Sequence, residues 1–180
     1  MAIYTKQGDE GLTGLPGGRR LAKSEPIFEM LGNLDLVNSV IGLTITFLPK
    51  KERDLKKQLT HIQQMLLSIG ATLAARNKNQ LTLVADLEKE TKELEKQIDL
   101  WDEQLPEIKN FLLPGGSTAG AWLHLVRTLV RQTERSYQRL KKPGECKDIA
   151  VYLNRLSDYF FQAACYANFR QSVIETIWRD

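Results

Sequence analysis

Charged side chains with a spacing suited to anion binding lie near residue 130. They are three or four positions apart, and they are Arg127, Arg131, Glu134 and Arg135. In a helix, Arg131 and Glu134 would lie about 40° and about 20° from Arg127 around the axis. Guanidinium groups and a carboxylate would then share one face, and the planar guanidinium fork matches polyphosphate oxygens. The alternative is a solvated, salt-bridged face, because charge pairs at these spacings are common on helices.

Two further polar groups fall beside apolar stripes. Asn154, Arg155 and Asp158 form one group, in which Asn154 and Asp158 are one helical turn apart. The other is Asp35, which lies where the surrounding apolar spacing predicts burial. Because a buried carboxylate needs a compensating partner, we expect Asp35 to pair with Arg127.

The first 26 residues are polar and rich in glycine, which indicates an irregular arm with no regular element. Thr5, Lys6, Gly8, Gly11 and Thr13 lie in this arm. Backbone amides and a lysine in such a segment can surround a phosphate. The Gly-Lys-Ser/Thr sequence of a Walker motif does not occur, so a disordered arm is the alternative.

Several chemistries are disfavoured by motifs that the chain lacks. A ferritin-like di-iron centre needs Glu three residues before His, but Gln58 precedes His61 and Ala121 precedes His124 at that spacing. There is no Gly-x-Ser-x-Gly, no His-Glu-x-x-His and no Cys-x-x-Cys. Covalent catalysis by a protein nucleophile and hydrolysis by a metal hydroxide are therefore not expected.

Composition is that of a soluble globular protein: 180 residues, 42% hydrophobic, 26% charged and a net charge of +3. No uncharged apolar run approaches the 18 residues of a transmembrane helix, and the first residues do not resemble a signal peptide. Positive charge does not form a stripe interleaved with aromatic residues, as nucleic-acid binding would require. We expect a cytoplasmic protein that binds neither a membrane nor nucleic acid.

Apolar spacing of three and four predicts five helices. They cover about residues 27–48, 52–76, 81–101, 118–140 and 148–171. Ser117 and Thr118 are N-cap candidates for the fourth helix, and no segment has a convincing strand pattern. The expected fold is all-α, a five-helix up-and-down bundle of the ferritin-like architecture with an irregular N-terminal arm.

Four motifs together resemble the PduO-type ATP:cob(I)alamin adenosyltransferases. They are residues 4–13 (YTKQGDEGLT), residues 111–116 (FLLPGG), Arg127-(x)3-Arg131-(x)2-Glu134-Arg135, and residues 152–158 (YLNRLSD). The resemblance runs nearly end to end. It implies one domain over residues 1–180, with an ATP-binding arm of residues 1–26 and a helical bundle of residues 27–180. It also implies a homotrimer with ATP bound between neighbouring subunits.

The implied reaction is attack of the cobalt of cob(I)alamin on the 5′-carbon of ATP, which forms adenosylcobalamin and releases tripolyphosphate. Since the cobalt is the nucleophile, the protein supplies alignment and neutralises charge. The resemblance implies an ATP site that includes Mg²⁺ on the phosphates. Its residues would be Thr5, Lys6, Gln7, Gly8, Thr13, Lys23, Arg131, Glu134, Arg135 and Asn154, with Glu134 nearest the metal. The catalytic residues would be Arg127, Arg131, Asp35 and Phe111.

In this family an aromatic residue before the Pro-Gly-Gly turn displaces the corrinoid's lower ligand, and Phe111 occupies that position. The acidic residue of the first helix pairs with the first arginine of the Arg-(x)3-Arg motif, which agrees with the pair Asp35 and Arg127. Further implied partners are a reductase and an enzyme that uses adenosylcobalamin.

The chain departs from the family pattern at two charged positions. Where the family has Gly-Thr-x-Asp-Glu-Leu-Asn, this sequence has Leu36 in place of the glutamate, and Gln132 replaces the arginine that usually follows Arg131. The two changes are either a compensated pair or a sign of altered activity. Two alternatives to a transferase therefore remain: a carrier or sensor that binds ATP or adenosylcobalamin, and a helical oligomerisation module without a small-molecule ligand.

Overall fold

A computed structural model describes residues 4, 6, 8–16, 20–75, 86–140 and 147–179. Thr5 and Gln7 lie outside the described residues, as do residues 81–85 of the third predicted helix.

Five helices form the body of the described chain, as the apolar spacing predicts. They are α1 (Pro26–Phe47), α2 (Arg53–Ala74), α3 (Leu87–Asp102), α4 (Thr118–Leu140) and α5 (Lys147–Arg170). Four of them begin and end within two residues of the expected positions. α3 begins later than expected because Asp86 has a non-helical backbone and its side chain accepts a hydrogen bond from the Lys89 amide, which caps the helix.

The helices pack around one continuous apolar core. α4 contacts α5 and α1, α3 contacts α5, and α1 contacts α2. The largest fully buried side chains include Tyr137, Tyr152, Tyr159 and Phe160, and the last three of these lie on α5. Ala163, Ala164 and Ala167 are also buried, whereas Val151 on the same helix is 42% exposed. α5 is therefore the central helix onto which α3 and α4 pack.

α1 is apolar enough, by length and composition, to cross a membrane, with a mean hydropathy of 1.3 over its most apolar window. It nevertheless lies against α2 and α4, and it buries Met30, Leu34, Val37 and Ile41. α1 thus packs one apolar stripe against the bundle, and 28% of its most apolar window is buried.

The arm contains regular structure, which corrects the expectation that it has none. β1 (Leu12–Gly14) pairs antiparallel with β2 (Arg20–Ala22), with Thr13 opposite Leu21. The amide of Lys23 donates to the Gly11 carbonyl at 2.9 Å, and Gly11 has φ of +76°, which a glycine adopts without strain. The hairpin thereby fixes residues 11–14 relative to residues 20–23.

Candidate active site

The helix that carries the charged face, α4, is capped at its N-terminus. Ser117 Oγ accepts a hydrogen bond from the Gly120 amide at 3.0 Å, so Ser117 is the predicted N-cap. Further along the helix, Arg131 and Arg135 are exposed and Glu134 is half-buried. The exposed guanidinium groups are therefore available to an anion from solvent.

Glu134 meets Asn154 across the α4–α5 contact. The Asn154 Nδ2 donates to Glu134 Oε1 at 3.3 Å, although the two residues are 20 positions apart in the chain. This hydrogen bond orients the carboxylate beside the two exposed arginines. The structure thus brings together four of the predicted ligand-binding side chains, namely Arg131, Glu134, Arg135 and Asn154.

Arg155 has a structural role in the described chain. Its Nε donates to Glu95 Oε1 at 2.9 Å and its NH1 donates to Asp158 Oδ2 at 2.7 Å. These bonds raise the pKa of Arg155 above its ordinary value, chiefly through Glu95. The second polar cluster of the sequence therefore divides: Asn154 faces Glu134, while Arg155 ties α5 to α3.

Arg127 and Asp35 are not paired within this chain, which corrects the sequence-based expectation. Asp35 is exposed, because its position on α1 lies outside the buried stripe of Leu34, Val37 and Ile41. Arg127 is half-buried, and its Nε is buried without a hydrogen-bond partner. Burial and the charge of Arg131 lower the pKa of Arg127, and both arginines line a cavity of about 220 Å³ together with Asp158.

The hairpin arm places a lysine over a glycine. A side-chain carbon on Gly8 would lie 3.2 Å from Lys23 Nζ, so the lack of a side chain at Gly8 leaves room for the ammonium group. Lys6 has φ of +59°, the left-handed conformation that non-glycine residues rarely adopt. Thr13 is half-buried within β1. Lys6, Gly8, Thr13 and Lys23 thus all lie in or next to the hairpin of the arm.

Phe111 stands at the edge of a cavity that has a volume of about 950 Å³. Its ring is 80% exposed and meets the Trp178 ring edge-on, with centroids 6.4 Å apart. The C-terminal residues 172–179, here called the tail, run beside residues 111–113. Leu113 N donates to Thr176 O and Trp178 N donates to Phe111 O, both at 2.8 Å.

The Pro-Gly-Gly turn is fixed by a residue that sequence reasoning missed. Asn168 is fully buried on α5; its Oδ1 accepts from Ser117 N at 2.8 Å and its Nδ2 donates to Gly115 O at 3.1 Å. A side-chain carbon at Gly116 or Gly120 would overlap this amide. The only sequence signal is an asparagine within an otherwise apolar helix face, which predicts a hydrogen-bonding partner without identifying it.

One of the two departures from the family pattern, Gln132, is hydrogen-bonded to a neighbour of Leu36 on α1. Gln132 Nε2 donates to Asn33 Oδ1 at 3.0 Å, and Asn33 Nδ2 donates to Ser136 Oγ at 2.7 Å. Leu36 is 45% exposed. Gln132 therefore links α4 to α1 through a neutral network, and Leu36 is not its partner.

Cation binding by the protein alone is not favoured in the described ranges, where no group of three or more His, Cys, Asp or Glu side chains could hold a metal ion. Glu134 is a single carboxylate beside arginines. This donor set suits Mg²⁺ that is already bound to nucleotide phosphates, since Mg²⁺ commonly takes one or two protein carboxylates and fills its other positions with phosphate and water.

Comparison with known proteins connects this geometry to a family. Residues 3–167 match the family model described as Cobalamin adenosyltransferase. The corrinoid adenosyltransferase of Bacillus subtilis (strain 168) is 41% identical over 96% of this chain and 90% of its own length. The corrinoid adenosyltransferase MMAB of Mus musculus is 36% identical over 98% of this chain and 77% of its own length.

A solved structure is also similar over nearly the whole chain. It is a phenylalanine-to-alanine variant of the PduO-type ATP:corrinoid adenosyltransferase from Lactobacillus reuteri, complexed with cobalamin and ATP. It has a TM-score of 0.93 and 34% sequence identity, and the match covers 99% of this chain and 100% of that chain.

Proposed function

The chain belongs to the cobalamin adenosyltransferase family, and from this premise we propose that it transfers the 5′-deoxyadenosyl group of ATP to the cobalt of cob(I)alamin. The observation that carries the proposal is the polar face between α4 and α5. There Glu134 is hydrogen-bonded to Asn154 beside the exposed Arg131 and Arg135. This face has the charge and the donors that a triphosphate requires.

In this proposal the triphosphate is held from two sides. The α4–α5 face contributes Arg131, Glu134, Arg135 and Asn154. The arm contributes Thr5, Lys6, Gln7, Gly8, Thr13 and Lys23. The described arm residues make their hydrogen bonds with one another, so the arm is free to fold over the nucleotide of a neighbouring subunit. In this proposal the sites are shared between neighbouring subunits of a homotrimer.

The chemistry needs no protein nucleophile. The cobalt of cob(I)alamin supplies an electron pair to the 5′-carbon of ATP, a cobalt–carbon bond forms, and the carbon–oxygen bond to the triphosphate breaks. The electron pair of that bond leaves with tripolyphosphate, and cobalt is formally oxidised from the +1 to the +3 state. Arg131 and Arg135 neutralise the charge that develops on the departing oxygens.

Phe111 and Arg127 serve the corrinoid in this scheme. The exposed Phe111 ring at the cavity edge is suited to occupy the lower face of the corrinoid and displace its lower ligand, which favours reduction of the cobalt. Asp35 is exposed on α1, so the proposed pair of Asp35 and Arg127 forms between subunits and encloses the substrate there. In this scheme Phe111 acts through its position, and Asp35 and Arg127 act through position and charge.

Glu134 is the residue proposed to hold Mg²⁺ on the ATP phosphates. Bound there, the ion neutralises part of the phosphate charge. The wider proposal is one domain, with an arm of residues 1–26 and a bundle of residues 27–180, acting in the cytoplasm. A reductase would supply cob(I)alamin, and an adenosylcobalamin-dependent enzyme would take the product.

The decisive experiment is an anaerobic assay with chemically reduced cobalamin, ATP and Mg²⁺. Loss of the cob(I)alamin absorbance and formation of a photolabile product would establish the transferase. We expect Arg131→Ala to lower kcat/KM by about 100-fold, since preorganised donors to a developing oxyanion contribute on this scale. Arg139→Ala, an exposed arginine near the end of α4, is the matched control and should retain full activity.

A second function is favoured by Gln132 and Leu36, which remove charges that the family usually carries. On that reading the chain is a carrier or sensor that binds ATP or adenosylcobalamin without transfer. Tight ATP binding with no product in the same assay would support the carrier and would contradict the transferase.

A further inference from the structure

His124 is a buried side chain that the adenosyl-transfer scheme above does not use. It lies on α4, is 2% exposed, and lines the 950 Å³ cavity that Phe111 also borders. Neither its Nδ1 nor its Nε2 has a hydrogen-bond partner. A buried polar group without a hydrogen-bond partner destabilises the fold, so a side chain in this state indicates a partner from outside the chain.

Arg127 lies three residues after His124 on the same face of α4 and lines the same cavity. Its Nε–H is likewise buried without a partner. Two unpaired polar groups, one helical turn apart, therefore lie at one wall of a cavity that Lys109, Asn110 and Arg179 also line. The Phe161 ring, 6.0 Å from the His124 ring and edge-on to it, forms the adjacent wall.

The protonation state of His124 restricts what the pair can bind. Burial, helped by the charge of Arg127, lowers the pKa of His124 to about 4, so the imidazole is neutral at pH 7. A neutral imidazole offers one donor and one acceptor, and the Arg127 Nε–H offers one donor. A primary carboxamide complements this set, because its carbonyl accepts from Nε–H while its NH₂ group donates to the imidazole nitrogen.

We propose that His124 and Arg127 Nε form a subsite for one carboxamide side chain at the periphery of the corrinoid ring. The proposal rests on the transferase function, since it makes His124 a binding residue for that substrate. The ring nitrogens are covered in this conformation, so an incoming amide displaces part of the cavity wall. The tail beside Phe111 forms part of that wall, because Ile177 and Trp178 line the cavity.

The first test separates corrinoid binding from ATP binding. His124→Leu keeps a similar volume but removes both hydrogen-bonding atoms. We expect the KM for cob(I)alamin to rise about tenfold, on the scale of one lost hydrogen bond, with the KM for ATP unchanged. His124→Gln, which keeps a donor and an acceptor, should recover most of the loss. His61→Leu is the matched control, because His61 is exposed on α2 and bonded to Glu90.

The second test identifies the amide. A panel of cobalamins, each with one ring carboxamide replaced by a methyl ester, removes the NH₂ donor at one position at a time. We expect one ester to have a raised KM with the unchanged protein but no further rise with His124→Leu, since the lost partner is then already absent.

The outcomes separate the subsite from the function. An unchanged cob(I)alamin KM in His124→Leu, or equal discrimination of every ester by both proteins, overturns the subsite while the transferase stands. No product from the unchanged protein with any corrinoid overturns the transferase itself. If His124→Leu does not fold, as judged by loss of ATP-dependent thermal stabilisation, the ester panel is run with His124→Phe, which keeps an aromatic ring, removes both nitrogens and must not discriminate the same ester.

Discussion

Arg127 and Arg131 are one helical turn apart, yet their surroundings give them different tasks. Arg131 is exposed beside Glu134, where its guanidinium group can bind a phosphate and stabilise the negative charge on it. Arg127 is half-buried with an unpaired Nε, and moving it would uncover a chamber wall. A single spacing rule therefore identified both residues, but only burial distinguishes the group proposed to bind the nucleotide from the group proposed to line the corrinoid chamber.

His124 also makes stability depend on pH. Its pKa is lowered to about 4 in the folded state, against about 6.5 in an unfolded chain, so between these values the unfolded chain binds more protons and stability falls as pH decreases. We expect about 3 kcal/mol to be lost from this source between pH 7 and pH 4. Denaturant unfolding at several pH values should show a shallower dependence for His124→Gln, and parallel curves for the two proteins would contradict the assignment.

Sequence reasoning found side chains whose partners lie at helical spacing and missed those whose partners lie far along the chain. The grouping of Arg131, Glu134 and Arg135 follows from the period of the helix. The hydrogen bond from Asn154 to Glu134 requires only that α4 and α5 pack against each other. Asp35 was misplaced, because apolar spacing does not determine which side of a buried stripe an adjacent polar residue occupies.

At the scale of elements, the helices were predictable and the hairpin was not. Apolar residues recur at spacings of three and four from Leu55 to Ile69 and so define α2. By contrast, β1 and β2 contain three residues each, too few to show the alternation that identifies a strand. The pairing of the strands depends on Gly11 and on the bond from Lys23 back to the Gly11 carbonyl, which no local pattern reveals.

The contact between α4 and α5 depends on a glycine. Gly120→Ala should destabilise the protein by about 2 kcal/mol, since the added methyl group overlaps Asn168. In an unobstructed helix the same change stabilises by up to about 1 kcal/mol. Gly70→Ala in α2 is the control, because its methyl group would meet Leu34 at an ordinary 3.7 Å. Equal midpoints of chemical unfolding for the two variants would argue against this account.

At the scale of the whole molecule, nucleotide binding and assembly should be linked. If the arm of one subunit closes over the α4–α5 face of the next, ATP with Mg²⁺ stabilises the folded assembly by mass action. At a concentration 100 times the Kd, this gives about 2.7 kcal/mol, or roughly 5–10 °C in Tm for a chain of this size.

Differential scanning fluorimetry at several protein concentrations measures this effect, and sedimentation velocity reports the number of subunits. AMP is the control ligand, because it lacks the β- and γ-phosphates that the arginines and lysines would bind. Equal shifts with AMP and ATP would mean that the polar face does not recognise a triphosphate. A monomer at all concentrations, with ATP stabilisation intact, would exclude a site shared between subunits.

The Trp178 ring beside Phe111 also equips the protein with its own optical probe. Trp178 is 49% exposed at the mouth of the large cavity, whereas Trp101 is buried between Tyr159 and Tyr166 in the core. A corrin macrocycle absorbs strongly in the near-ultraviolet and visible range, so its arrival next to Trp178 should quench that emission by energy transfer. The intrinsic fluorescence of the unlabelled protein can therefore follow corrinoid entry in real time.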